Sequence, residues 1–396
     1  MAGVGAGATD RTGGRAGMLR LLGRAPVLFG AIGLLLAVEA AACLLGPVVI
    51  PSQTYLSWYL GPKARSRTAQ FLQPASQEAY LVFDSVLGWR NRPDVSRGNW
   101  SVDSLGARSV RGARARGPTR PLRVLFLGSS LVNGGAAVSN SETISAYVED
   151  SAIEALNFGT MLYAFDQAYL AYATGLYRLD ARIVVVGVPA EPGEGLSNRY
   201  VPFRARDEVN MPFLKPRFRL AGDTLVLEPV LPLALWRSEF DTPAFVDSLR
   251  GTDGSFGRFA AFARFGQTPI AAGVSALYQR VRGLATAWNG GADRRLFLAL
   301  LSRLQAVARS HDAAVLVMIV PDGEVTFPGL LRRRLPDRYP AVVAELRERG
   351  VVVLDGREAL RASGVPAALL YNADGIHLTP AGNQVVAEAL RPLLRR

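Results

Sequence analysis

His377 stands in the stretch YNADGIHLTPAG, residues 371–382, with Asp374 three residues before it. In a turn of that length an aspartate can accept the Nδ1 proton of the imidazole. The other ring nitrogen is then left to take a proton from a serine. Thr379 is a natural helix N-cap and Pro380 suits the first helical position, so His377 falls on the loop just before a final helix over residues 380–395. The only other histidine, His311, sits in Ser-His-Asp at a helix end, where the helix C-terminus favours it. A single cysteine, Cys43, excludes a disulfide framework and a cysteine-ligated metal site. With only two histidines no metal and no cofactor is expected.

A serine of the right kind lies in FLGSSLVNGG, residues 126–135, directly after an apolar run that reads as a strand. The carboxyl end of a strand in an open α/β sheet is where ligands bind. The stretch is not a P-loop, because no Lys-Ser or Lys-Thr follows the glycines. It does not fit G-x-S-x-G either, since Val132 is the second residue after Ser130.

The elements that must position these groups follow from the apolar pattern. Short continuous apolar runs at 122–128, 153–159, 181–188, 313–321 and 351–355 read as five buried parallel strands. Helical stretches at 141–150, 165–177, 296–310, 341–349 and 380–395 alternate with them, which predicts a doubly wound α/β fold. The segment from about 190 to 291, rich in Pro and Gly, is too long for a plain connection and is expected to form a cap or wall. Glu191 within it reads as a loop acid, and Arg332–Arg334 as a solvated face. Residues 81–94 and 101–109 suggest a small β-element ahead of the main domain. Residues 108–123, rich in Arg, Gly and Pro, read as a solvated connector or a contact for anionic lipid or polysaccharide.

Residues 26–50 are apolar except for Glu39, long enough to cross a hydrocarbon core of about 30 Å. Arg11, Arg15, Arg20 and Arg24 precede them and no charge follows until Lys63, so the N-terminus is expected in the cytoplasm and the rest outside. The expected organisation is a cytoplasmic tail over 1–25, a single-pass anchor over 26–50, a linker and β-element over 51–120, and the main domain over 121–396. A signal peptide cleaved after Ala40-Ala41-Ala42 and a lipidated Cys43 are the alternatives. Apolar sequence continuing to Ile50 argues against both. The net charge of +12 comes almost entirely from scattered arginines, with lysine only at 63 and 215. No nucleic-acid footprint is present.

From about Leu81 to the C-terminus the sequence resembles the SGNH, or GDSL-type, hydrolase family. Gly128-Ser129-Ser130 occupies the place of the G-D-S block, which makes Ser130 the implied nucleophile. Asp374-Gly-Ile-His377 matches the D-x-x-H block and the LTPAG after it fits. ALNFGTMLYAFDQ (155–167) resembles the second block, and FLKPRFRLAGDTLVL (213–227) a segment of large membrane-tethered bacterial members. The resemblance implies a flavodoxin-like three-layer sandwich with a five-stranded parallel sheet, and a Ser130, His377, Asp374 triad.

It also implies an oxyanion hole, for which Ser130, Gly159, Leu162 and Asn198 are the candidates, with Asn133 a further amide. Here the sequence departs from the family. Ser129 replaces the motif aspartate, Leu162 aligns with the second-block glycine, and Ala190-Glu191 stands where an Asn-Asp pair belongs. An oxyanion donor is worth about 3 kcal/mol. The implied activity is hydrolysis or transfer of acyl, preferably acetyl, esters on envelope or exported glycans. It would take place outside the bacterial inner membrane, as part of envelope polysaccharide machinery. The alternative is a weakened domain that binds glycan or scaffolds such an assembly.

Overall fold

Short alternating stretches punctuated by Gly and Asp favour hairpins over helices, and residues 80–108 fold as two of them. In the first, β1 (Leu81–Asp84) pairs antiparallel with β2 (Gly88–Asn91). In the second, β3 (Val95–Arg97) pairs with β4 (Trp100–Val102). The computed structural model describes residues 80–108, 122–203, 214–234, 243–256 and 291–395 (Leu331 and Leu335 excepted), with six positions between 30 and 38. The expected tail, most of the span over 26–50 and the linker over 51–79 lie outside the described residues. So does most of the connector. Among the described residues no helix is long and apolar enough to cross a membrane.

The apolar runs form one parallel sheet. Its strands are β5 (Leu122–Gly128), β6 (Ile153–Asn157), β7 (Ile183–Val188), then, beyond the hairpin β8 (Arg217–Ala221) and β9 (Thr224–Glu228), β10 (Ala314–Ile319) and β11 (Val352–Asp355). The spatial order is β11-β10-β7-β5-β6. Counting these five in chain order gives 2-1-3-4-5, the flavodoxin-like arrangement, whose switch point lies between β5 and β7.

Side chains alternate along each strand and so divide the core into two layers. Val124 and Phe126 face α2 (Ile144–Val148) and the final helix, whereas Leu125 and Leu127 face the opposite layer. That opposite layer holds α3 (Phe165–Thr174), α5 (Ala292–Arg309) and α7 (Tyr339–Glu348). Between α3 and α5 in the chain lies α4 (Pro243–Arg250); short turns α1 (Ser130–Asn133) and α6 (Gly323–Thr326) follow β5 and β10. After β11 come α8 (Gly356–Ala362), α9 (Ala367–Leu370) and α10 (Pro380–Leu394).

Two helices are shorter than their apolar pattern predicts, each for a local reason. The helix expected over 141–150 begins only at Ile144, because Thr143 takes an extended conformation and its Oγ1 caps the Ala146 amide at 3.2 Å. The helix expected to reach 177 stops at Thr174, where Gly175 breaks it.

The carboxyl ends of β5 and β7 carry a glycine pair, Gly128 opposite Gly187. A Cβ on Gly187 would lie 2.1 Å from Val132 Cγ2, and one on Gly128 would lie 2.5 Å from the Gly187 carbonyl oxygen. The missing side chains let Val132 sink between the strands, which seats α1 on the sheet. Replacing Gly187 with Ala forces that methyl out. It should destabilise the chain by about 1–3 kcal/mol in urea unfolding, and Val132→Ala should recover part of the loss.

The insertion after β7 is stitched down by buried charge. Lys215 Nζ donates to Asp166 Oδ2 at 2.5 Å with both side chains buried, tying the start of the β8–β9 hairpin to α3. Burial pushes the Asp166 carboxyl upward while Lys215 opposes the shift. Lys215→Met strands the acid and should cost about 3–5 kcal/mol in the same unfolding experiment. An unchanged midpoint would contradict the role assigned to the pair.

Candidate active site

Ser130 is the first residue of α1, immediately beyond β5 and beside the β5–β7 switch point. Ser129 caps the helix, its Oγ accepting the Leu131 amide at 3.3 Å. Aspartate and serine are both good N-caps, so serine at the motif's second position preserves the turn. Gly134, at φ +90°, closes α1 by donating its amide to the Ser130 carbonyl at 2.8 Å.

From the other end of the chain comes the loop between α9 and α10. Thr379 caps α10 by accepting the Gly382 amide at 3.2 Å, as the Thr-Pro pair predicts. Asp374 Oδ1 accepts the amides of Ile376 and His377 at 2.8 and 2.9 Å. Its other oxygen, Oδ2, accepts His377 Nδ1–H at 2.6 Å. With that proton fixed on Nδ1, Nε2 is the acceptor that faces Ser130 Oγ, 2.8 Å away. Ser130, His377 and Asp374 thus form a continuous relay between residues 247 positions apart. Partial burial pushes the Asp374 carboxyl up. Hydrogen bonds from the His377 ring and from the two amides outweigh it, and the group is held below its ordinary value.

The oxyanion candidates divide. The amides of Ser130 and Leu162 have no acceptor among the described residues. Leu162 stands at φ +63°, a left-handed conformation that a leucine adopts at a cost of about 1 kcal/mol or more. The conformation that favours glycine in this block is therefore present without the glycine.

Gly159 does different work. Its amide is spent on Asn157 Oδ1 at 2.9 Å, and its carbonyl accepts from Asn133 Nδ2 at 2.8 Å and Asn91 Nδ2 at 3.0 Å. A Cβ at Gly159 would lie 2.4 Å from the Asn133 amide nitrogen, so this glycine serves close approach, not oxyanion binding. Asn198 is also corrected. Its amide donates to Tyr200 O at 2.9 Å and to both Asp253 oxygens at 3.2 and 3.0 Å. It holds the insertion together, where Asp253 also accepts the amides of Arg199, Tyr200 and Ser255. Asn133, its amide bound to Gly159, is likewise committed.

Several residues around the site escape sequence reasoning. Asn157, fully buried, donates to Val132 O at 2.8 Å and to Ser145 Oγ at 3.0 Å while accepting from Gly159. Its signal was the Asn-x-Gly spacing itself. Trp89 Nε1 donates to Met161 O at 2.9 Å, and Trp100 Nε1 to Asn133 Oδ1 at 3.3 Å. Arg108 heads the stretch whose composition predicts a solvated connector. It is instead buried, and its backbone amide bonds Asn157 O at 2.7 Å on the edge of β6.

No family model matches the chain. No curated protein matches it either. Among solved structures it is similar to a member of the lipolytic protein G-D-S-L family from Veillonella parvula, at 10% identity over 69% of this chain and 99% of that one, TM-score 0.34. It is also similar to an acetylxylan esterase from Geobacillus stearothermophilus, at 13% identity over 69% and 94%, TM-score 0.35. An α/β hydrolase enzyme from the metagenome of Lake Arreo gives 13% identity over 70% and 96%, TM-score 0.36.

A pH experiment reads the Asp374 turn directly. The folded chain favours the carboxylate, so its contribution is complete above the ordinary aspartate value of 3.8 and is lost as pH falls through the depressed one. The amide resonances of Ile376 and His377 should titrate together with a midpoint below 3.8. A midpoint at or above that value would contradict the hydrogen-bond balance described for Asp374.

Proposed function

We propose that the chain is an ester hydrolase or O-acyltransferase of the SGNH/GDSL type. The observation that carries this reading is the relay from Asp374 through His377 to Ser130, at 2.6 and 2.8 Å. Ser130 Oγ attacks the acyl carbonyl as His377 Nε2 takes its proton, and Asp374 holds the ring in the required tautomer and stabilises the imidazolium. The negative charge on the tetrahedral oxygen is received by the Ser130 and Leu162 amides. Collapse expels the alcohol, protonated by His377, and leaves an acyl-serine. Water then gives hydrolysis and a sugar hydroxyl gives transfer.

Family resemblance favours acetylated glycan as the substrate class. The apolar run over 26–50 with its preceding arginines favours a domain held outside the inner membrane by one helix, working with envelope polysaccharide machinery. The alternative, a glycan-binding or scaffolding domain of reduced activity, draws on Ala190-Glu191 in place of the third-block pair.

The full chain in detergent should turn over p-nitrophenyl acetate and release acetate from an acetylated polysaccharide. Ser130→Ala and His377→Ala should each lower kcat by about a thousandfold or more. Equal rates in wild type and both variants would remove the catalytic reading. Glycan binding without turnover would then leave the scaffold.

A further inference from the structure

The mechanism above leaves unused the most heavily bonded buried cation near the site. Arg108 closes the N-terminal β-element, and its guanidinium reaches five acceptors at the end of the nucleophile helix and in the segment that follows it. Nε donates to Asn140 Oδ1 at 2.8 Å, Nη1 to the carbonyls of Asn133 and Gly135 at 2.7 Å each and more weakly to Asn133 Oδ1 at 3.5 Å, and Nη2 to Val138 O at 2.5 Å. Asn133 ends the helix that Ser130 begins. Gly135, at φ +65°, lies against the imidazole, since a Cβ there would be 3.6 Å from His377 Cδ2. One side chain therefore anchors both the base of the nucleophile helix and the surface against which the catalytic ring rests.

Burying a cation among carbonyls is costly, because dipoles compensate lost hydration less fully than a carboxylate would. Burial pushes the Arg108 group down to about 10, with Glu142 opposing the shift, so it stays charged at neutral pH. A planar fork is the side chain that can satisfy several divergent acceptors at once; an ammonium is a point charge on a flexible stem.

The geometry points to Arg108 as a positioning residue for the reaction: from outside the catalytic sheet it fixes the loop over 133–138, and through that loop the register between Ser130 and His377. The assignment rests on the hydrolase reading. One readout of its test is therefore independent of activity.

In the full chain, Arg108→Ala should lower kcat for p-nitrophenyl acetate at least tenfold while KM stays within about twofold. Added methylguanidinium should restore a measurable part of kcat, and Arg108→Lys should restore less. The second readout is the imidazole spectrum. His311, stacked on Tyr177 with ring centroids 4.3 Å apart, can be replaced by Gln so that His377 gives the only imidazole signals. In that background Arg108→Ala should displace them. Unchanged His377 signals, kcat within twofold of wild type, or a loss of kcat that methylguanidinium does not relieve would each overturn the assignment. If the wild type has no esterase activity the hydrolase reading fails, and the imidazole signals alone still decide whether Arg108 positions His377.

Discussion

At the carboxyl ends of β5 and β7, Gly128 pairs with Gly187, and the side chain of Val132 fills the volume that ordinary residues there would claim. Parallel strands in this topology diverge toward a crevice at the switch point. A crevice alone does not place a side chain. Because Val132 is clamped between two backbones, the single turn of α1 cannot rotate or slide, and Ser130 at its start is presented in one direction. The N-cap by Ser129 and the left-handed Gly134 then need only close the two ends of a turn already pinned in the middle. So short a helix would not hold its shape in isolation.

The histidine reaches this serine by a different principle. Its loop is defined locally, by an aspartate that accepts two amides and a ring nitrogen within four residues, and by a capped helix that packs Val386 and Leu390 into the core. The loop is therefore ordered by its own hydrogen bonds and delivered as a unit by α10. Closure across 247 residues is carried by helix packing on the sheet, and the 2.8 Å contact forms between two segments already held in place.

This difference decides what could be read from the sequence. Asp374, His377, Thr379 and Pro380 interact within a few residues, so their spacing exposes their roles. The strands were legible because burial on both faces forces continuous apolar runs. Arg108 was not, because nothing in its neighbourhood distinguishes one arginine of a basic connector from the next; its meaning lies in carbonyls 25 to 30 residues away. Asn198 misled for the converse reason. An asparagine after the third strand fits the expected chemistry, but an acid 55 residues later claims its amide. The second block shows a subtler limit. Close approach and positive φ are both glycine properties, and one glycine can supply them together. Here they separate, close approach at Gly159 and positive φ at Leu162.

How a leucine is held at positive φ follows from what surrounds it. Trp89, from the β-element, donates its indole proton to Met161 O, fixing the peptide just before the strained residue. Tyr163, just after it, donates its hydroxyl to Trp89 O at 2.5 Å. The Leu162 side chain packs on a cluster that joins Trp89 and Tyr163 to Tyr200, Phe203 and Leu214 of the insertion. Partial burial of a leucine contributes roughly the 1–2 kcal/mol that the left-handed backbone costs. A glycine would remove the strain and with it the packing that orients the turn. In this chain the β-element and the insertion do for Leu162 what conformational freedom does for a glycine, and the amide is presented by packing.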